Sequence, residues 1–350
     1  MRILPLVVLA VMLFFWLRKR RRAAQVSRAA AVAGAHLLPP ERQNTDRACP
    51  DPEADAVTAA LARGDWQPAA QALAAAGTDW ERRSYLVGVV ARRAAEDDSW
   101  LRAWQAARPD DPDAAVVDAD AKVTLAWEIR GSGWAKNLTG EQIEGFFRVL
   151  REAREDFARA ASLAHPQDPT PYLLQIPLYM GLNAPHEAMR ELWAEVASRA
   201  PYHYEAHWYA LQYWCEKWHG SEELARDFAA KEAAAAPAGS LLTMFPLLSW
   251  FEHHHDKAPD EAYGWLEVRQ LVDAALADVA AARPDHPRTA EVRHLLAYFL
   301  TEAGRYEEAV EQFQRVDGYV EAAPWRYSGK PAQMFCQYRD KALRGSLSGR

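Results

Sequence analysis

The chain has 350 residues, of which 68 are alanine, four isoleucine and nine threonine. Because alanine favours helices and β-branched residues favour strands, this composition leaves little material for a sheet and predicts an all-α protein. The formal net charge is −7, but residues 1–28 hold seven bases and no acid, so the remainder carries −14, which argues against nucleic-acid binding. Three widely separated cysteines also argue against a disulfide framework and a structural zinc site.

Residues 1–22 have the pattern of a transmembrane anchor with a basic flank. Residues 3–17 are apolar apart from Pro5, and five bases follow at once. Such a helix is about 22 Å long, shorter than a hydrocarbon core of about 30 Å, but snorkelling bases and local thinning allow it to span the lipid bilayer. The positive-inside rule then places residues 23–350 in the cytoplasm, which predicts a single-pass protein of the cell membrane. An interfacial helix or a misassigned start codon is the alternative.

The chain after the anchor divides into a linker and a long helical region. Residues 23–52 show no sustained apolar period and predict a flexible linker, with a bound, peptide-like segment as the alternative. In the region 53–321, prolines close successive Ala-rich helical stretches. This pattern predicts about seven helix pairs, near 53–76, 79–108, 112–164, 169–199, 202–236, 239–283 and 287–321.

The last pair carries the clearest repeat motif. Small residues at Ala297 and Ala309 allow two antiparallel helices to approach closely, and Gly304 ends the first of them. This pattern resembles the tetratricopeptide repeat (TPR), a helix-turn-helix unit of about 34 residues, and the resemblance implies a right-handed α-solenoid. Gly64 occupies the same turn in an earlier copy. Asn183 replaces the glycine in another copy, because asparagine tolerates the left-handed conformation.

A second resemblance lies in one segment of the region. Residues 206–221 (AHWYALQYWCEKWHGS), together with 235–240, are similar to an uncharacterised bacterial family of helical-repeat proteins. That resemblance implies no activity.

The TPR resemblance also implies a ligand-binding surface. In that family the first helices of the pairs form a concave wall, and residues one step past the small position commonly face the ligand. Carried to this chain, the pattern selects aromatic, basic and histidine side chains: Arg82, Tyr85, Arg92, His207, Trp214, Lys217, Trp218, His294 and Tyr298. The resemblance therefore implies a non-catalytic scaffold that binds a protein or peptide partner in its groove. At each position the alternative is helix packing or a solvated surface.

Histidines suggest a competing interpretation, a metal-dependent protein or enzyme. His253, His254 and His255 are consecutive, so they point about 100° apart on a helix and do not face one ion. His203 and His207 share a helix face, but we expect them at the opposite end of their helix layer from the other three. Nucleotide-binding and nucleophile motifs are absent. We therefore expect no metal, no cofactor and no catalytic residue.

Residues 322–350 form a basic C-terminal cap or tail in this interpretation. Positions 324–350 hold six bases and one acid. A solenoid needs a polar-faced cap at its end, which favours capping. Contact with anionic lipid or with the acidic body is the alternative.

Overall fold

A computed structural model describes residue 34 and residues 36–131 and 139–348 of the chain. Within these residues every regular element is a helix, and the only extended pairing is an isolated bridge between Asn44 and Tyr319. The all-α prediction is therefore confirmed. The predicted anchor at 3–17 lies outside the described residues. None of the helices in the described ranges is long and apolar enough to cross a membrane.

Helices occupy each of the seven predicted ranges, and one more helix follows them. In chain order they are α1 (Pro52–Leu61), α2 (Gln67–Ala76), α3 (Trp80–Glu96), α4 (Ser99–Ala107), α5 (Pro112–Arg130), α6 (Gly140–Leu163), α7 (Thr170–Leu173), α8 (Gln175–Gly181), α9 (His186–Arg199), α10 (Tyr204–Trp214), α11 (Glu222–Ala235), α12 (Met244–His254), α13 (Leu266–Ala281), α14 (Thr289–Glu302), α15 (Tyr306–Val316) and α16 (Pro331–Ser348). Short 3₁₀ helices lie at Pro40–Arg42, Asp260–Gly264 and Trp325–Tyr327.

Short polar side chains determine where several helices begin. Asp79 accepts a hydrogen bond from a backbone N–H in the first turn of α3, and Asp111 does the same for α5. Thr139 and Gln142 form a reciprocal capping box at the start of α6, with bonds of 3.2 and 3.0 Å. Each such cap stabilises its helix by about 1 kcal/mol, because it satisfies a donor that has no partner inside the helix.

Three of the turns between helices have left-handed backbone conformations. Gly64, Asn183 and Gly304 have φ angles of 79°, 55° and 72°, so all three adopt the left-handed conformation expected of them. A glycine is required at position 220 for a different reason. A Cβ at this position would lie 1.8 Å from the carbonyl oxygen of Trp214, because the chain folds back tightly after α10.

The chain forms two compact units. The terminal unit contains the described residues before 51, together with 259–276 and 289–348, and the central unit contains 51–258 and 277–288. Helix α13 is therefore divided between the two units.

In the terminal unit, part of the predicted linker is bound to the C-terminal region. The Leu38 backbone N–H donates to Asp317 Oδ2 at 2.7 Å, and Arg339 Nη1 donates to the Leu38 carbonyl at 2.7 Å. Arg339 also pairs with Asp317 at 2.9 Å. Residues 38–47 are thus held by hydrogen bonds, and α16 packs against α14 and α15.

In the central unit, the first helices of successive pairs contact one another. Helix α1 contacts α3, α3 contacts α5, α5 contacts α8, α8 contacts α10, and α10 contacts α12. Helix α3 also contacts α10, which lies three pairs later. The Tyr204 backbone N–H donates to Glu81 Oε1 at 2.6 Å, and His203 Nε2 lies 3.1 Å from Ser84 Oγ. These bonds hold α3 and α10 together.

A buried ion cluster supports the same arrangement. Arg83 of α3 is 7% exposed and forms ion pairs with Asp168 at 2.8 Å and with Asp113 of α5 at 2.5 Å. Asp168 also accepts a hydrogen bond from the Thr170 backbone N–H at 2.8 Å, at the start of α7. One guanidinium therefore connects three helices.

Candidate functional site

The central unit contains a cavity of about 530 Å³ that is lined by α3, α5, α8, α10 and one residue after α13. This volume is within the range of about 300–1,000 Å³ that is typical of ligand sites. Five of the lining side chains carry a carboxyl or a guanidinium group: Arg92, Asp120, Glu128, Glu205 and Arg288.

Asp120 is the unusual member of this set. It is 8% exposed, and among the described residues none donates a hydrogen bond to its carboxylate or forms an ion pair with it. Burial, together with the negative charge of Glu205, raises the pKa of Asp120 to about 7, although Arg92 opposes the shift. A buried carboxyl group without a partner costs free energy. Strongly shifted pKa values of this kind are concentrated at functional sites.

Glu205 has a partner that Asp120 lacks. Its carboxylate forms an ion pair with Arg288 and lies within reach of the Tyr209 hydroxyl, which donates to Oε1 at 3.4 Å. Burial alone would raise the pKa of Glu205, but Arg288 and His203 outweigh it and lower the pKa. Burial and the neighbouring acids raise the pKa of Tyr209 well above its usual value. Glu205 therefore stays ionised and Tyr209 stays neutral near pH 7.

Tyr85 lines the cavity between two guanidinium groups. Arg288 lies 5.2 Å from its ring centroid and Arg82 lies 5.3 Å from it, both within cation–π distance. Arg82 in turn forms ion pairs with Asp51 and Glu53 at the start of α1. Tyr85 is thus held in one orientation at the cavity wall.

A second, more apolar cavity of about 230 Å³ adjoins the first. Its wall includes Phe146, Met180 and Trp218, and Trp127 lines both cavities. The rings of Trp127 and Trp218 meet edge to face with centroids 5.3 Å apart. Arg130 lies 5.4 Å from each ring. Trp127 therefore lines both a cavity that contains charged side chains and a more apolar one.

Three of the nine residues selected from the sequence line these cavities. Tyr85 and Arg92 line the larger cavity, and Trp218 lines the smaller one. Lys217 is exposed and forms an ion pair with Glu252 at 2.7 Å.

Four of the selected residues are buried in packing contacts: His207, Trp214, His294 and Tyr298. His207 donates from Nδ1 to the His203 carbonyl at 2.7 Å, and the Trp193 ring lies edge-on to it at 4.9 Å. Burial lowers the pKa of His294 to about 3, so the neutral ring accepts a hydrogen bond from its tryptophan neighbour. Burial gives these four side chains a packing role, and their contact with a partner remains a prediction.

Trp214 and Trp218 do not share one helix face. Helix α10 ends at Trp214, and the next residues form a turn in which Trp218 N–H donates to the Cys215 carbonyl at 3.0 Å. The close approach of Gly220 to the Trp214 carbonyl makes this turn possible. The two indoles therefore face different surroundings.

The three consecutive histidines all have partners within the chain. His253 and His255 each donate from Nδ1 to the carbonyl four residues earlier, at 2.8 Å. His254 lies 3.2 Å from Glu222. Over the described part of the chain, no group of three or more His, Cys, Asp or Glu side chains is arranged to hold a metal ion.

Sequence reasoning missed Asp120, Glu205 and Arg288. A signal for Asp120 existed, because it stands in an Ala/Val-rich stretch with Thr124 and Trp127 at i+4 and i+7 on the same helix face. No comparable signal pointed to Arg288, which reaches the cavity only through the fold.

No family model, curated protein or solved structure matches the chain. The geometry of the two cavities is therefore the basis for a functional proposal.

Proposed function

We propose that the chain is a non-catalytic, membrane-tethered scaffold whose central unit binds a protein or peptide segment. The main support is the pair of adjoining cavities that share Trp127. One is polar and charged and the other is apolar, so neighbouring side chains of an extended segment find complementary surroundings. Peptide sites commonly combine an apolar anchor with a few directed polar groups.

The same proposal includes a TPR-like right-handed solenoid as the scaffold. The left-handed turns at Gly64, Asn183 and Gly304 support it, as do the contacts between successive first helices of the central unit. In this arrangement the first helices carry the ligand surface, and α3, α5, α8 and α10 are the helices that line the larger cavity.

Trp218 provides a test of the binding site. A random peptide library selected against the purified full chain should yield binders, and Trp218→Ala should weaken the best of them by at least about thirtyfold. That loss corresponds to roughly 2 kcal/mol for a true anchor. Isothermal titration calorimetry measures the affinities, and thermal melting should be near that of the parent because Trp218 is only half-buried.

Trp214→Ala is the matched control. Its indole is 7% exposed and packs edge-on against His186 at 4.9 Å, so its loss should destabilise the fold by roughly 3–5 kcal/mol. If the library yields no binder, or if Trp218→Ala binds as the parent does, the proposed site is refuted. Melting of the Trp218 variant far below the parent would make that ring a packing residue too.

The membrane tether rests on the apolar run and basic flank of residues 1–22. We expect the full chain to resist extraction from membranes by alkaline carbonate, and a chain that lacks these residues to fractionate as a soluble protein with an unchanged melting temperature. A C-terminal reporter that is active only outside the membrane should stay silent, since the bases keep the body inside. An active reporter, or recovery of a processed and exported chain, would contradict the tether.

A further inference from the structure

We propose that the larger cavity binds a cationic side chain of the partner segment, a lysine ammonium or an arginine guanidinium, with the Asp120 carboxylate as its counter-ion. This inference rests on the proposed function, because it takes the ligand to be a peptide, and it specifies the chemistry of that ligand.

The charges that line the cavity favour a cation. Glu205 and Arg288 form an ion pair and neutralise each other. When Asp120 is ionised, it and Glu128 stand against Arg92, which leaves one unbalanced negative charge among the lining side chains. Arg92 and Glu128 are exposed, so solvent screens their charges. Asp120 is buried, and its charge therefore has the strongest electrostatic effect inside the cavity.

The hydrogen-bonding groups of the wall also match a cation. An ammonium has three donors and no acceptor, and a guanidinium has five donors, so either group needs several oxygen acceptors. Asp120, Thr124 and Glu128 follow one another at four-residue intervals on α5 and all line the cavity. They present carboxylate and hydroxyl oxygens along one helix face. The aromatic walls at Tyr85 and Trp127 can cover the aliphatic stem of such a side chain.

The protonation of Asp120 makes the inference more specific. In the free protein its pKa is about 7, so near neutral pH the carboxyl group is only partly ionised. A bound cation stabilises the ionised form, so binding below pH 7 must release a proton. The affinity for a cation should therefore fall by up to about tenfold per pH unit below 7 and be nearly constant above it.

The other groups that face Asp120 do not reproduce this pH dependence. Arg92 and Arg288 stay charged, Glu205 has a lowered pKa, and Tyr209 has a strongly raised one. The pH dependence of binding is also measured with a neutral ligand. Any dependence seen there comes from other groups, such as Glu128 or histidines outside the cavity wall.

The test uses four short peptides that differ at one position. Each has a leucine for the apolar cavity and glycines elsewhere, with lysine, arginine, glutamine or glutamate at the variable position, and each is titrated calorimetrically into the purified full chain. We expect the lysine and arginine peptides to bind at least about tenfold more tightly than the glutamine peptide, the effect of one charge-assisted hydrogen bond. Asp120→Asn should remove this preference.

Asp118→Asn is the matched control on the same helix. Asp118 is half-buried, pairs with Lys122 at 3.1 Å and does not line the cavity, so this variant should keep the preference for the basic peptides. The inference is overturned if glutamine binds as tightly as lysine, if glutamate binds best, or if Asp120→Asn keeps the preference. In those cases peptides still bind, and the proposed function stands. If none of the four peptides binds and the library selection yields no binder, both the proposed function and the cation site are refuted.

Discussion

Replacing Asp120 with asparagine should stabilise the folded chain at pH 8 by roughly 2–4 kcal/mol. The pKa of this carboxyl is about 7 in the folded chain, against an ordinary value of 3.8. Below pH 3.8 both states are protonated and the group has no effect on stability. Between pH 3.8 and 7 the carboxyl group is ionised in the unfolded chain but still protonated in the folded chain, so stability falls as the pH rises. Above pH 7 the full cost of burying the charged carboxylate remains. An asparagine carries no charge, so the variant does not have the cost of burying a carboxylate.

Denaturation with urea at pH 5 and pH 8, followed by tryptophan fluorescence, measures this difference. The gain from Asp120→Asn should be about two to three times as large at pH 8 as at pH 5. Asp118→Asn loses an ion pair with Lys122 on the half-exposed side of the same helix, and should shift stability by less than about 1 kcal/mol at either pH. A loss of stability in the Asp120 variant at pH 8 would show that the carboxylate is structural. The carboxylate that is proposed to bind the cation is thus expected to lower the stability of the free protein.

Replacing Arg83 with methionine should destabilise the chain by about 3–5 kcal/mol at pH 7. Arg83 holds Asp113 and Asp168 in a nearly solvent-free cluster, and burial already raises the pKa of Asp113 despite the ion pair. Without the guanidinium, two buried carboxylates lose their counter-charge. The loss should shrink at acidic pH, where Asp113 takes up a proton, and chemical denaturation at pH 4 and pH 7 measures this change.

Arg102→Met is the control for that experiment. Arg102 pairs with Asp98 at 2.6 Å, but its side chain is 66% exposed, so solvent screens the pair and the change should be at most about 0.5 kcal/mol. Similar losses in both variants, or a loss at Arg83 that does not depend on pH, would show that packing of the arginine stem matters more than its charge.

The helices and several turns could be predicted from the sequence because their causes are local. Alanine content, closing prolines and polar N-terminal caps act within a few residues, and the left-handed turns at Asn183 and Gly304 depend on one residue each. The site could be predicted only in part. Tyr85 and Arg92 lie on the surface that the repeat pattern selects, and they do line the cavity.

The rest depends on contacts between residues that are distant in the chain. The pattern assumes an open groove, whereas α3 meets α10 through Glu81 and Ser84. Arg288 reaches Glu205 across more than eighty positions, and no local pattern encodes that pairing. His207 stands on the expected helix but is covered by Trp193, because burial depends on which neighbouring helix packs there.

The hydrogen bonds at Leu38 determine how the molecule carries mechanical tension. Leu38 is bonded to Asp317 and to Arg339 of α16, so a pull applied at the N-terminal side and resisted at the C-terminal helix is transmitted through these bonds. Residues 51–258 lie in the chain between the two points of attachment, but outside this direct path. The Leu38 bonds are loaded first, and residues 51–258 bear the tension only after these bonds and those of residues 43–47 to residues 317–321 have broken.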